Sequence, residues 1–409
     1  FEDFDLEIQG YRALAGLAYF GGDHGPKSMV ITMDTEGMNP GRIFYQDPDS
    51  IPALLDAEIT GRYKGLLQLP AEEGTVFQSV NIGVEQFGYR GSDTLSIEEL
   101  KFRTNAISYE AQQRDSILQT LNASGDIFLR GVQTPRFRTD SLDVFITARE
   151  GEYKFVPRNY LGKGKDDFGT IILEPFRSPP RYQLDYRIKE LRLEEFLKSF
   201  NEENILTGEV DLQLQLTAEG NDKDEISRTA YGSMLLEGED LKLRGIDLDK
   251  VIQNFSRSQT FNFMDLGAVL LTGPVGIVYT KGLDYFNLVA AGTGDSSRIS
   301  KFSSRWSVEN GRITAQDVAF ATLKNRMAAK GWLSTQLDSL DMSLAVIDKR
   351  GCAIIDQRVY GNSKTPEYSK LKVIETLLAP VTDAVGGFLG VKCEVFYDGV
   401  VQHPEGEKK

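Results

Sequence analysis

The sequence predicts a mainly β protein built from antiparallel strands. Three observations carry that expectation. Apolar and polar residues alternate strictly in several segments: Tyr182, Leu184, Tyr186 and Ile188 are interleaved with Arg181, Gln183, Asp185 and Arg187. Strand side chains point to opposite faces in turn, so such a segment has one apolar side and one wet side. Aromatic and glycine usage is high together, with 16 Tyr, 23 Phe and 39 Gly, the balance of many strands joined by many turns. One-sided strands also argue for antiparallel sheet with a solvated face and against parallel βαβ units.

Taken along the chain, the alternation first shows in Val80, Ile82 and Val84, then in Leu142, Val144 and Ile146. After Leu184, Tyr186 and Ile188 it returns in Val210, Leu212, Leu214 and Leu216, opposed by Asp211, Gln213, Gln215 and Thr217, and last in Met342, Leu344 and Val346. Gly125, Gly208, Gly232 and Gly331 each lead such a segment and are expected to mark a tight turn or bulge before a strand. Two short helices are expected where apolar residues fall at i, i+3, i+4 and i+7: Leu193, Phe196, Leu197, Phe200, and Leu248, Val251, Ile252, Phe255. Each follows a Leu-x-Leu step, Leu191 to Leu193 and Leu241 to Leu243, which suggests a degenerate repeat of about 55 residues, strands and then a covering helix. Leu266 to Thr280 reads as a buried hairpin turning at Gly273-Pro274. Leu371, Ile374, Leu378, Val381, Val385 and Phe388 form a helical seam, interrupted at Pro380, over about 370–390.

Composition limits the chemistry. The 409 residues allow two or three domains or one long β architecture, and a formal charge of −14 has the wrong sign for a nucleic-acid partner. His24 and His403 are the only histidines, which leaves little material for zinc sites or a Ser-His-Asp triad. No phosphate-binding glycine motif occurs, and Gly162-Lys163-Gly164-Lys165 reads as a loop. The longest uncharged stretch is about 15 residues, too short to span a bilayer. Carboxylates crowd at Glu237, Glu239, Asp240, Asp247 and Asp249; Asp247 is read as a helix N-cap before a calcium ligand or a catalytic acid. Gly294 to Arg298 reads as a polar turn, and Trp306 and Trp332 as packing residues within strands. Cys352 and Cys393 are the only cysteines, open to two readings: a bridge in an oxidising compartment, or two buried thiols.

From Leu206-Thr207-Gly208-Glu209-Val210-Asp211-Leu212 through Thr217-Ala218-Glu219-Gly220 the sequence resembles the AsmA family of bacterial cell-envelope proteins. The likeness continues in Gly238-Glu239-Asp240-Leu241, Gly245-Ile246-Asp247-Leu248-Asp249-Lys250, Gly267 to Gly276 and Thr314 to Thr322, then in Lys349 to Ala353, Lys364-Thr365-Pro366 and Cys393 to Tyr397. This resemblance implies a periplasmic protein tethered to the inner membrane by a segment absent from this chain, and related to TamB-like and chorein-like bridge proteins. It implies a long, twisted and curled antiparallel sheet, a groove with a few short amphipathic helices and a C-terminal helix. Residues 1–200 would form a repeated β-groove segment, and residues 201–409 the AsmA-like C-terminal region. The apolar concave face would carry phospholipid acyl chains between the inner and outer membranes in support of outer-membrane assembly, with envelope proteins as partners at both membranes. The sixteen alternating residues named above from Val80 to Val346 would line that groove. No catalytic residue, cofactor or metal comes with the family, and an oxidising periplasm favours the Cys352–Cys393 bridge. A scaffold for outer-membrane assembly that carries no lipid is the alternative, followed by an all-β carbohydrate-active enzyme using the carboxylates near Asp240 and Asp247. At roughly 12 to 14 residues per strand and turn, the chain would supply about 25 to 30 strands spaced about 4.8 Å apart.

Overall fold

The computed structural model describes residues 2–8, 11–20, 28–45, 47, 51, 55–68, 79–91, 94–108, 117–135, 137–158, 167–199, 206–245, 247–250, 252–253, 296–334, 336–363, 365–370, 372–373 and 393–404. Among these, 21 strands join in one sheet. The N-terminal strands are β1 (Glu2–Ile8), β2 (Tyr11–Phe20), β3 (Ser28–Met38), β4 (Glu58–Gln68), β5 (Ser79–Arg90), β6 (Thr94–Ser108), β7 (Asn122–Gln133), β8 (Arg138–Arg149) and β9 (Glu152–Pro157). They are followed by β10 (Phe168–Glu174), β11 (Arg181–Arg192), β12 (Leu206–Thr207), β13 (Glu209–Glu219), β14 (Tyr231–Arg244), β15 (Ser296–Glu309) and β16 (Arg312–Ala321). The last are β17 (Arg326–Ser334), β18 (Ser339–Ile347), β19 (Ala353–Asn362), β20 (Thr365–Tyr368) and β21 (Lys372–Val373). Four short helices accompany them: α1 (Pro40–Phe44), α2 (Ile117–Thr120), α3 (Leu193–Ser199) and α4 (Lys223–Thr229).

The topology is a meander in which every pairing is antiparallel. Each strand from β1 to β11 pairs with its neighbour in sequence, then β11 with β13, and the order runs on to β19. The short β12 pairs with β14, and β20 and β21 share the far edge of β19. The sheet does not close into a barrel. The long connection from β3 to β4 reaches across the sheet, with Tyr45 near enough to Tyr153 in β9 to act on its phenol. β3 and β9 stand six strands apart, about 29 Å along a flat sheet.

Two features of the backbone shape the sheet. Glu190 in β11 and Asp240 in β14 have φ of 51° and 55° and lie 50 residues apart (240 minus 190). Each shifts the alternation by one, so Leu191 and Leu193 stay on the side of Ile188, and Leu241 and Leu243 on the side of Leu236. The Leu-x-Leu steps of the repeat are the residues that follow these left-handed positions. Gly232 and Gly331 lie inside strands and do not precede them, which corrects the expected turn role, as does Gly125 within β7. At Gly232 a Cβ would collide with the Gln215 carbonyl oxygen, and at Gly331 with that of Asp341, so only glycine permits the close strand approach there.

The helices agree in part with expectation. In α3, Leu193 and Leu197 are buried, Glu194 and Glu195 sit at the positive end of the helix and Lys198 at the other. The Leu193 N–H donates to the Gly208 carbonyl at 3.0 Å. Residues 248–250 and 252–253 are helical, with Leu248 and Ile252 buried. Where a C-terminal helix over about 370–390 was expected, Lys372 and Val373 instead form β21, because the edge of β19 offers them backbone partners; residues 374–392 lie outside the described residues, as does the expected hairpin at 266–280.

Candidate functional site: an apolar face along the sheet

The register connects one row of side chains across the molecule. Met29 faces Leu67, which faces Val80, and the row continues through Thr104, Gly125, Ile146, Phe155, Ile171, Leu184 and Leu216. It ends through Gly232, Val308, Ile313, Leu333 and Leu340. Directly opposed residues share a face, and so do residues two apart in a strand. All sixteen candidate residues therefore lie on one face of the sheet: Val80, Ile82 and Val84 in β5; Leu142, Val144 and Ile146 in β8; Leu184, Tyr186 and Ile188 in β11; Val210, Leu212, Leu214 and Leu216 in β13; Met342, Leu344 and Val346 in β18.

Their surroundings differ along the sheet. Ile82, Leu142, Ile146, Leu184, Tyr186, Leu214 and Leu216 are half-buried, and Val80, Val84 and Val144 are buried. Ile188, Val210 and Leu212 open a continuous packed cluster that includes Met342, Leu344 and Val346. On the same face the alternation extends to residues not singled out from the sequence, among them Phe102, Ile127, Leu129, Phe155 and Ile171, all half-buried. The Ile127 and Leu129 pair stood in plain view behind Gly125, whereas Phe155 and Ile171 sit in short strands with too few repeats to show a period.

The electrostatics separate the two faces. On the apolar face, burial raises the phenols of Tyr63 and Tyr182, so both stay neutral at physiological pH. Burial, with Tyr45 adding to it, pushes Tyr153 up to about 12, and its hydroxyl donates to the Leu118 carbonyl at 2.7 Å. The opposite face carries ion pairs: Lys101 with Glu99 at 2.8 Å, Arg158 with Asp126 at 2.6 Å, and Arg358 with Asp341 at 2.6 Å. Lys101, Arg158 and Arg187 also lie over the rings of Phe128, Phe145 and Phe168, which covers aromatic surface turned to water.

The carboxylates that suggested chemistry hold structure. Asp247 Oδ1 accepts the Lys250 N–H at 3.0 Å, the geometry of an N-cap. Asp249 accepts from Thr322 Oγ1 and Asn325 Nδ2, both at 2.6 Å, and so pins the 248–253 helix to the β16–β17 turn. Asp240 pairs with Arg298, Glu239 with Lys301 and Glu237 with Arg305. Ser296 to Arg298 begin β15 and do not form the expected polar turn; the Ser297 hydroxyl accepts the Leu248 N–H at 2.7 Å. Trp306 is fully buried and donates to Ser304 Oγ at 2.8 Å, while Arg312 stacks 4.1 Å over Trp332. Among the described residues no cluster of His, Cys, Asp and Glu could hold a metal ion, and no helix is long and apolar enough to cross a membrane.

On the opposite face the segment 393–404 lies over small residues of β16, β17 and β18. Ala319, Ala321, Ala328, Ala345 and Ile347 pack against Tyr397 and Val401. Cys352 and Cys393 form a disulfide at the head of this segment, and the Phe396 and Tyr397 N–H groups donate to the Gly351 carbonyl. Tyr397 donates to Asp317 Oδ1 at 2.6 Å, and the buried Arg326 donates to the carbonyls of Val401 and Asp348 at 3.1 and 2.6 Å.

No curated protein and no solved structure gave a significant match to the chain. The model of the AsmA family matches residues 169–318, from β10 into β16. The match covers the motifs from Leu206 to Gly276 and starts ahead of them; the likenesses at Lys349, Lys364 and Cys393 lie beyond it. This family is not a known family of enzymes. The stretch that resembles the AsmA family, residues 169–318, thus lies in the part of the sheet where the apolar strip meets the packed core.

Proposed function

We propose that the apolar face binds phospholipid acyl chains and that the protein helps move lipid between the inner and outer membranes of a bacterial envelope, from the periplasm and without catalysing a reaction. The observation that carries this reading is the continuous apolar strip from β3 to β13, partly open to water at Ile82, Ile127, Ile171 and Leu184 and edged by tyrosines that stay neutral. A charged or peptide ligand would need polar partners on that strip; an acyl chain needs only contact, gaining about 0.8 kcal/mol for each methylene taken out of water. The match of residues 169–318 to the AsmA family supports an envelope role.

The test is lipid mass spectrometry on the purified protein after incubation with vesicles of phosphatidylethanolamine and phosphatidylglycerol. Bound phospholipid is expected, reduced at least fivefold by Ile127→Asp or Leu184→Asp and unchanged by Asn81→Asp, which alters the opposite face. Protein free of lipid in repeated preparations, or strip variants that fold by circular dichroism and bind as much as the parent, would reject the reading.

A further inference from the structure

We infer that the apolar face is a groove closed at one end: acyl chains occupy it from β3 to β13, and β14 to β19 form a stop that excludes them. This rests on the lipid reading above. Continuity of register alone would allow a ligand to run the length of the sheet, since Leu184 and Leu340 stand in the same row. Burial divides the row beside it, two residues over in each strand, which runs from Ile82, Phe102 and Ile127 through Val144, Tyr186 and Leu214 to Met234 and Trp306. In β5 to β11 Ile82, Phe102, Ile127 and Tyr186 of that row keep part of their surface in water, while Val144 is buried. Beyond β13 that row is sealed at Met234 and Trp306, and Phe320 and Met327, farther along the same face, are at 0% exposure as well.

The stop sits where the two amphipathic helices enter. Leu193 and Leu197 of α3, and Leu248 and Ile252 of the 248–253 helix, join the packed cluster on this face. Both helices follow the left-handed residues Glu190 and Asp240, which keep the Leu-x-Leu steps turned to the apolar side. Asp249 and Ser297 then fix the second helix to the sheet through buried or half-buried hydrogen bonds. A core packed at crystal-like density has no room for an added chain without displacing side chains, each of which costs contacts. Exchange of an acyl chain therefore takes place from the β3 side of the strip.

Wild-type protein loaded with phosphatidylcholine bearing a diazirine in one acyl chain, irradiated and digested, reads the boundary without any substitution. Labelled peptides are expected from β4 to β13, at least tenfold above those from β15 to β18. Equal labelling of peptides containing Met327 or Leu344 would overturn the closed end while leaving lipid binding intact. No labelled peptide from either half would overturn the lipid reading and this inference with it.

Discussion

At the scale of single residues, the sheet depends on a few side chains in unusual conformations or charged pairs. Glu190 stands at φ 51° in a bulge between β11 and β13, where its N–H donates to Asp211 Oδ1 at 3.0 Å. A β-branched side chain is poorly tolerated there, so Glu190→Val should lower unfolding stability by about 1–2 kcal/mol relative to Glu190→Gly, read from urea midpoints. The two Arg358 bonds hold the Asp341 carboxyl below its ordinary range. A depressed carboxylate stabilises the fold above its unfolded value of about 4 and loses that contribution as pH falls through its folded value. Asp341→Asn should therefore lose less stability than the parent between about pH 5 and pH 2, and equal acid slopes would count against the pair. Neither Glu190 nor Asp341 stands out in the sequence: a left-handed glutamate looks like any polar residue of an alternating strand, and cross-strand partners become visible only once register is known.

At the scale of elements, the 393–404 segment behaves as a strap across the face opposite the apolar strip. The disulfide closes a separation of 41 residues; on the chain-entropy model that stabilises by about 4 kcal/mol. Replacing both cysteines by serine should lower the melting temperature and speed amide exchange at Phe396 and Tyr397, with little change in β4 to β8. Tyr397→Phe removes the bond to Asp317 and the acceptor of the Val401 N–H. Its cost should be about 1–3 kcal/mol, measured by denaturant unfolding. The cysteine pairing was legible from the residues together with the family resemblance, and β11, β13 and β18 were legible from alternation alone. The strap was not, because Tyr397 and Val401 gain meaning only from the alanines beneath them. At the start of the seam expected over about 370–390, Lys372 and Val373 complete the edge of β19, while the seam residues themselves lie outside the described residues. Spacing reports which side chains could share a helix face and is silent about free backbone partners nearby.

At the scale of the molecule, the described residues form one long open meander. Small-angle X-ray scattering should give a radius of gyration well above the roughly 22 Å of a compact chain of this length; a value near 22 Å would contradict the open sheet. The one-sidedness of the strands was legible throughout, since every alternating segment falls on the same face. The division of that face was not. Ile127 and Trp306 stand in the same row of the face, and only the elements packed over them make one half-buried and the other sealed. The meander itself has a kinetic consequence. Each long strand bonds to the one before it in sequence, so contacts are local along the chain and the entropy of closing each loop stays small. A hairpin can therefore form, accept the next strand and serve as its template, with nearest-neighbour interfaces adding much as they do in repeat proteins. Such a chain can acquire its sheet progressively from the end that emerges first, without waiting for its last residues to arrive.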